Sequence, residues 1–291
     1  MEALKGTGVA LVTPFNEDGT VDFEGLTNLV NYVIDGGLDY LVALGTTGEP
    51  ATMTTAEKDQ VLDHIRSTNN GRLPLILGIG GSNTAALVEE FERVDLTGVD
   101  AILSASPYYN KPTQEGIYQH YKVLAEHSPL PLILYNVPGR TASNMTAQTT
   151  LRLAYDFENI VAMKEASGDL NQVMEIVKRK PEGFILLSGE DALNFPILTC
   201  GGEGVISVLA NSLPKLTSDV VRFSLKEENE VARNLHYQSL DFINLLFAEG
   251  NPAGVKAALK LQGVCGNAVR MPLIKASDDL SESLKKELEN L

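Results

Sequence analysis

The chain has no tryptophan, two cysteines and four histidines in 291 residues, and its bases are outnumbered, 23 Lys and Arg against 38 Asp and Glu, for a formal charge of -15. Each shortage excludes something. Cys200 and Cys265 lack CxxC spacing, and two thiols in so long a chain do not make a disulfide framework, so both are read as reduced structural side chains. His64, His120, His127 and His236 show no HExxH spacing and the chain has no GxSxG turn, so zinc-protease and serine-hydrolase chemistry lack their parts. All four histidines are expected at the surface or as caps. The acidic balance is the wrong sign for neutralising nucleic-acid phosphates or docking on an anionic leaflet, so neither partner is expected. It does not forbid an anionic substrate, because local Arg, Lys and backbone N–H groups can overrule the net field inside a pocket. No apolar run approaches the roughly 18 residues of a membrane span. MEALKGTGVALVTPF meets Pro14 after only a short apolar stretch, so no secretory leader is read there and a cytoplasmic location is expected.

What is present is core material: 44% of residues are hydrophobic and 21% charged, near the usual globular composition. Short apolar runs rich in β-branched residues alternate with amphipathic stretches, the signature of βαβ units. The runs are GVALVT (8–13), YLVAL (40–44), LPLILG (73–78), AILS (101–104), LPLILYN (130–136), IVAMKE (160–165), FILLS (184–188) and GVISV (204–208). Such a count predicts a closed (β/α)8 TIM barrel. Helix starts are expected at Asp22, Thr54 or Thr55, Asn83 and Asp169. After the last run the alternation stops, and consecutive helices broken near Gly250, Asn251 and Pro252 predict a C-terminal helical extension. The division is a barrel over 1–224 and an appendage over 225–291. An open doubly wound sheet would want a Gly-rich phosphate turn after its first strand, and TPFNEDGT (13–20) is not one. GIGG (78–81) follows the third strand and has Asn83 where a dinucleotide fingerprint needs glycine, so no dinucleotide site is read there.

In a barrel of this kind the active site lies at the C-terminal strand ends. Lys164 stands near the end of the sixth run, where burial would strip its ammonium of water and leave a neutral amine able to attack a ketone carbon. The structural alternative is a buried ion pair with Glu165, although consecutive strand residues should face opposite ways. GTTGE (45–49) can offer successive N–H groups and the hydroxyls of Thr46 and Thr47 to a carboxylate, or can be an ordinary βα turn. Tyr135 closes the fifth run and could pass protons with a hydroxyl from Thr46 or Thr47, or merely pack. Arg140 offers a guanidinium fork to a carboxylate, or is a loop arginine on the surface.

GTTGE, SPYYNKP, YNVPGRT, KEASGD and GGEGVISV, in that order and one per strand end, together with NPAGVKAAL (251–259), resemble the pyruvate-dependent lyase and synthase family typified by dihydrodipicolinate synthase and N-acetylneuraminate lyase. The resemblance spans essentially the whole chain. It implies Lys164 as a Schiff-base lysine, Tyr135 as the proton-transferring tyrosine, and Thr47 with Tyr109 as the rest of a relay, Tyr109 reaching across from a neighbouring subunit. It further implies Thr46 and Thr47 on the pyruvate carboxylate, Ile206 and Gly189 in the substrate pocket, and Arg140 on the carboxylate of a second substrate. The second threonine of GTTGE and the arginine of YNVPGRT resemble the branch that condenses pyruvate with aspartate semialdehyde at the entry to lysine and diaminopimelate synthesis. No metal or organic cofactor is implied, and the family suggests a homotetramer built as a dimer of dimers, with dimers also occurring. The alternatives are a retro-aldol lyase of the same family, acting on N-acetylneuraminate or a 2-keto-3-deoxy sugar acid, and a non-catalytic acid-binding barrel in which Lys164 is structural.

Lysine-inhibited members of that family carry histidines in the helix after GTTGE and an acid in the next, whereas this chain has Thr55, Lys58 and Leu87 there, although Asn83 and Tyr108 match the inhibitor-site pattern. Weak or absent lysine feedback is therefore expected: micromolar lysine should leave the steady-state rate unchanged, and half-inhibition in that range would contradict the reading.

Overall fold

In the computed structural model, which describes residues 2–291, each apolar run becomes a strand because both its faces find apolar partners, one inside a barrel and one beneath a helix. Among the described residues eight strands form the closed order β1 (Gly6–Ala10), β2 (Tyr40–Ala43), β3 (Leu75–Gly78), β4 (Ala101–Ala105), β5 (Leu132–Asn136), β6 (Ile160–Glu165), β7 (Ile185–Ser188) and β8 (Gly204–Ser207). All pairings are parallel, and β8 returns to β1 with Gly8 opposite Ile206. This is a (β/α)8 TIM barrel. The first strand is shorter than its run: beyond Ala10, the Val12 amide donates to Asn211 Oδ1 at 3.1 Å instead of continuing the ladder.

The helices alternate with the strands as α1 (Phe23–Asp35), α2 (Thr55–Asn69), α3 (Thr84–Arg93), α4 (Gln114–His127), the single turn α5 (Pro138–Thr141), α6 (Ala147–Asp156), α7 (Leu170–Arg179), α8 (Asn194–Thr199) and α9 (Pro214–Leu225). The four expected caps hold. Asp22, Asn83 and Asp169 accept from amides in the first turns of α1, α3 and α7, and Thr54 forms a reciprocal capping box with Glu57. Alternate strand residues fill two cores. Tyr40, Val42, Ile76, Leu103 and Ile133 point into the barrel, while Leu41, Leu77, Ile102 and Leu134 join the layer between barrel and helices.

The appendage comprises α10 (Asn229–Ala248), α11 (Ala253–Leu261) and α12 (Asp278–Leu288). The break between α10 and α11 falls at Gly250, whose φ of +94° suits glycine, followed by Asn251 and Pro252. Phe242 and Leu246 of α10 and Leu284 of α12 belong to the same apolar cluster as the barrel helices.

Two histidines depart from expectation. His120 and His236 are 5% and 3% exposed, because α4 and α10 turn those faces inward. His120 meets the Thr84 hydroxyl at 2.8 Å and His236 the Ala192 carbonyl at 3.1 Å. Burial depresses both imidazoles, His120 to about 4, so they are neutral core side chains.

One close approach inside the barrel is testable. Tyr40 lies fully buried across β1, its hydroxyl donating to the Val205 carbonyl at 2.8 Å, and a Cβ at Gly8 would fall inside its ring. Gly8→Ala should destabilise by about 1–3 kcal/mol through overpacking, read as a lowered urea midpoint with unchanged slope. An unchanged midpoint would mean that the ring has room to move.

Candidate active site

β6 places Lys164 two residues beyond Ala162, whose side chain is in the barrel interior, so alternation turns the lysine inward at the mouth. It is 5% exposed, and Nζ stands 4.4 Å from the centroid of the Tyr135 ring, on the strand residue directly opposite. Burial lowers its pKa to about 8; the carboxylates of Asp191 and Glu190 pull the other way, and the Arg140 charge adds to the depression. Glu165 does not pair with it. That carboxyl faces outward and is 1% exposed, accepting from Asn136 Nδ2, the Ser167 amide and Gln172 Nε2 at 2.7–3.2 Å. Burial raises it above the usual carboxylate range. The ion-pair alternative for Lys164 is thereby excluded.

Tyr135 is buried, and desolvation pushes its phenol up to about 12, with the Arg140 charge and the nearby Thr46 side chain opposing and Glu190 reinforcing. Of the two threonines expected beside Tyr135, Thr46 and not Thr47 lines the same cavity as the phenol. Thr47 is buried, and its Oγ1 accepts from Asn251 Nδ2 at 3.0 Å. The reason is the single 3-10 turn Thr46–Gly48, which sends successive side chains in different directions.

Arg140 lies on α5, with its guanidinium at 3.4 Å from the Asn251 carbonyl. Ile206 sits on β8 inside the barrel. Gly189 follows β7, where a Cβ would come within 2.7 Å of Lys164 Cε, so glycine there makes room for the lysine stem. Tyr109 is not brought to these groups within one chain. Its side chain is 92% exposed, and its φ of +72° is unusual for a residue with a Cβ.

A cavity of about 540 Å³ opens at the strand ends, walled by Thr46, Tyr135 and Arg140 and extending to Thr55, Lys58 and Leu87. Among the described residues no cluster of three or more His, Cys, Asp or Glu is placed to hold a metal ion. The arrangement joins an amine with a depressed pKa, a phenol with a hydroxyl neighbour and a guanidinium, parts suited to imine formation on a carbonyl acid followed by proton transfer.

Two contributors escaped the sequence reading. Asp191 is buried after β7 and accepts from the Ser207 hydroxyl, the Val208 and Leu209 amides at 2.9 and 2.8 Å, and Asn194 Nδ2 at 3.1 Å. Its place just past an apolar run was a usable signal. Asn251 is marked by the helix break and by NPAGVKAAL, but its contact with Thr47, 204 residues away along the chain, is not.

The comparisons agree with this geometry. The model of the Dihydrodipicolinate synthetase family matches residues 3–291. A curated relative, the 4-hydroxy-tetrahydrodipicolinate synthase of Flavobacterium psychrophilum, is 53% identical over 98% of this chain and 97% of its own. Among solved structures, dihydrodipicolinate synthase from Aquifex aeolicus superposes with a TM-score of 0.94 at 39% identity, covering 98% of this chain and 97% of that one. A monomeric dihydrodipicolinate synthase variant gives 0.96 at 37% identity, covering 99% and 97%. With the barrel, the inward lysine and a full-length match in hand, the chain belongs to the dihydrodipicolinate synthetase family.

Proposed function

We propose that this chain condenses pyruvate with aspartate semialdehyde through a Schiff base on Lys164, the reaction of a 4-hydroxy-tetrahydrodipicolinate synthase in lysine and diaminopimelate synthesis. The observation that carries the reading is the Lys164 amine, buried at the strand end against Tyr135 with its pKa lowered to about 8. Its full-length relatives of that name support it.

The amine adds to the ketone carbon, water leaves, and an iminium forms. The positive nitrogen acidifies the neighbouring methyl group, whose proton passes through Tyr135 and Thr46 to leave an enamine. The enamine carbon attacks the aldehyde carbon and the aldehyde oxygen takes up a proton. The substrate's own amine then adds to the iminium carbon and expels Lys164, closing the ring. Thr47 and the backbone of its turn face the pyruvate carboxylate in this scheme, Ile206 and Gly189 border the pocket, and Arg140 receives the carboxylate of the semialdehyde. Asp191 and Glu190 set negative charge toward the nitrogen, which is positive in the protonated imine.

The proposal includes a cytoplasmic homotetramer, built as a dimer of dimers, in which Tyr109 enters the neighbour's relay; its exposure and left-handed backbone support that part. The barrel over 1–224 carries the reacting groups and the appendage over 225–291 supports them.

Incubation with pyruvate and borohydride should leave a reduced adduct on Lys164 alone, located by peptide mass, and Lys164→Ala should abolish it; an adduct elsewhere or none on folded protein overturns the reading. The trapping rate should rise tenfold per pH unit up to about 8 and then level, because the neutral amine is the nucleophile and its folded pKa lies there. An unperturbed lysine would keep rising to about 10.4. Tyr135→Phe should still trap pyruvate yet lose roughly 10²- to 10⁴-fold in turnover with the semialdehyde, the usual worth of a positioned acid–base group. Retained turnover would remove Tyr135 from the relay.

A further inference from the structure

The Thr46–Gly48 turn is bracketed by two residues in a backbone conformation that side chains disfavour, Leu44 at φ +54° and Glu49 at φ +56°. Such conformations persist only where the surroundings impose them. The barrel supplies part of the restraint: Thr13 Oγ1 donates to the Gly48 carbonyl at 2.8 Å, and Gly78 leaves room for the Leu44 carbonyl, which a Cβ there would overlap.

The rest comes from α11 and its flanks. Asn251, just before α11, donates from Nδ2 to Thr47 Oγ1 at 3.0 Å. Lys256, within α11, donates from Nζ to Glu49 Oε1, with the two side chains 0% and 2% exposed. The same ammonium reaches the Ala268 carbonyl at 2.9 Å and stands 4.3 Å from the centroid of the Phe15 ring, and the other Glu49 oxygen accepts from the Arg270 amide at 3.0 Å. A buried ion pair is a poor way to gain stability, since an apolar pair of similar size avoids the desolvation cost. What it does give is a defined position, because the ammonium's two hydrogen bonds and ring contact and the carboxylate's two hydrogen bonds are met together in one geometry. The Asn251 amide adds polarity to position: by donating into Thr47 Oγ1 it leaves that hydroxyl's hydrogen to be donated elsewhere.

We propose that the appendage is a positioning device for the reaction, in which Asn251 and the buried Glu49–Lys256 pair hold the strained turn so that Thr46 stays against Tyr135. The inference rests on the Schiff-base reading and deepens it. Asn251, Glu49 and Lys256 are positioning residues, acting on the relay through the turn.

The test uses the full chain, with the semialdehyde omitted, and follows loss of the pyruvate methyl proton to deuterated solvent by proton NMR. At the iminium a methyl proton leaves through Tyr135 and Thr46, and a deuteron returns by the same path, so the exchange reports the relay alone. The variants are the paired change Glu49→Gln with Lys256→Met, which leaves no lone buried charge, and Asn251→Ala, at a half-buried position outside the core. Both should still be trapped by borohydride at Lys164, while exchange per trapped site falls roughly ten- to hundredfold, the scale of a small misplacement of a reacting group. Lower melting temperatures with unchanged exchange per trapped site would make the contacts merely structural and overturn the proposal. If the paired variant does not fold, Asn251→Ala decides by the same criterion. An unmodified chain that neither traps nor exchanges would sink the Schiff-base reading and this inference together; normal trapping with undiminished variant exchange sinks the positioning role alone.

Discussion

Two consecutive residues of β6 face opposite sides of the barrel wall, and the chemistry depends on that parity. Were Lys164 and Glu165 on one face, the carboxylate would favour the ammonium and oppose the depression of the amine's pKa. The strand instead sends the carboxyl outward, where Asn136, Gln172 and the Ser167 amide satisfy it without a cation. Lys164 is left inside with burial as the largest influence on it, and the more distant Asp191 and Glu190 charges only moderate the effect. In the proposed reaction, a side chain that is neutral to attack and positive once bonded is served by such a balance, in which desolvation favours the free amine and nearby carboxylates favour the iminium.

The frame that creates this parity was legible in the residues. Apolar runs with period-two burial, caps at Asp22, Thr54, Asn83 and Asp169, and the break at Gly250 are all local signals, and each has a local physical cause. So was the placement of Lys164, because strand alternation needs only the strand. The limits of legibility are equally physical. Whether Thr46 or Thr47 meets Tyr135 is decided by a turn only three residues long, whose direction follows from left-handed residues on either side rather than from any periodicity. The burial of His120 and His236 follows from helical spacing, His120 lying three residues after Ile117 and four before Leu124 and His236 four after Ala232, a periodicity that a reading of histidine as a surface residue passed over.

Side chains that act at long range were the least legible. Asn211 joins the first and last parts of the barrel, its side chain accepting from the Val12 amide and donating to the Ala10 carbonyl at 2.8 Å. Arg270 draws together the Gly19 carbonyl, the Thr52 carbonyl and Glu57, over a Phe15 ring that Lys256 also faces. Each is an ordinary polar residue in a loop or helix until the fold closes, and each then fixes a backbone segment near the mouth.

The same distances along the chain have a consequence in time. Glu49 and Lys256 are 207 residues apart. At about 5–20 residues per second, the carboxylate emerges from the ribosome roughly 10 to 40 seconds before its cation exists. During that interval it has no reason to leave water, so the turn beside it stays unpinned while the strands around it are already being made. Completion of the last seventh of the chain, from Asn251 on, thus finishes the mouth, and a translation product truncated before it has an unpinned turn on an otherwise nearly whole barrel.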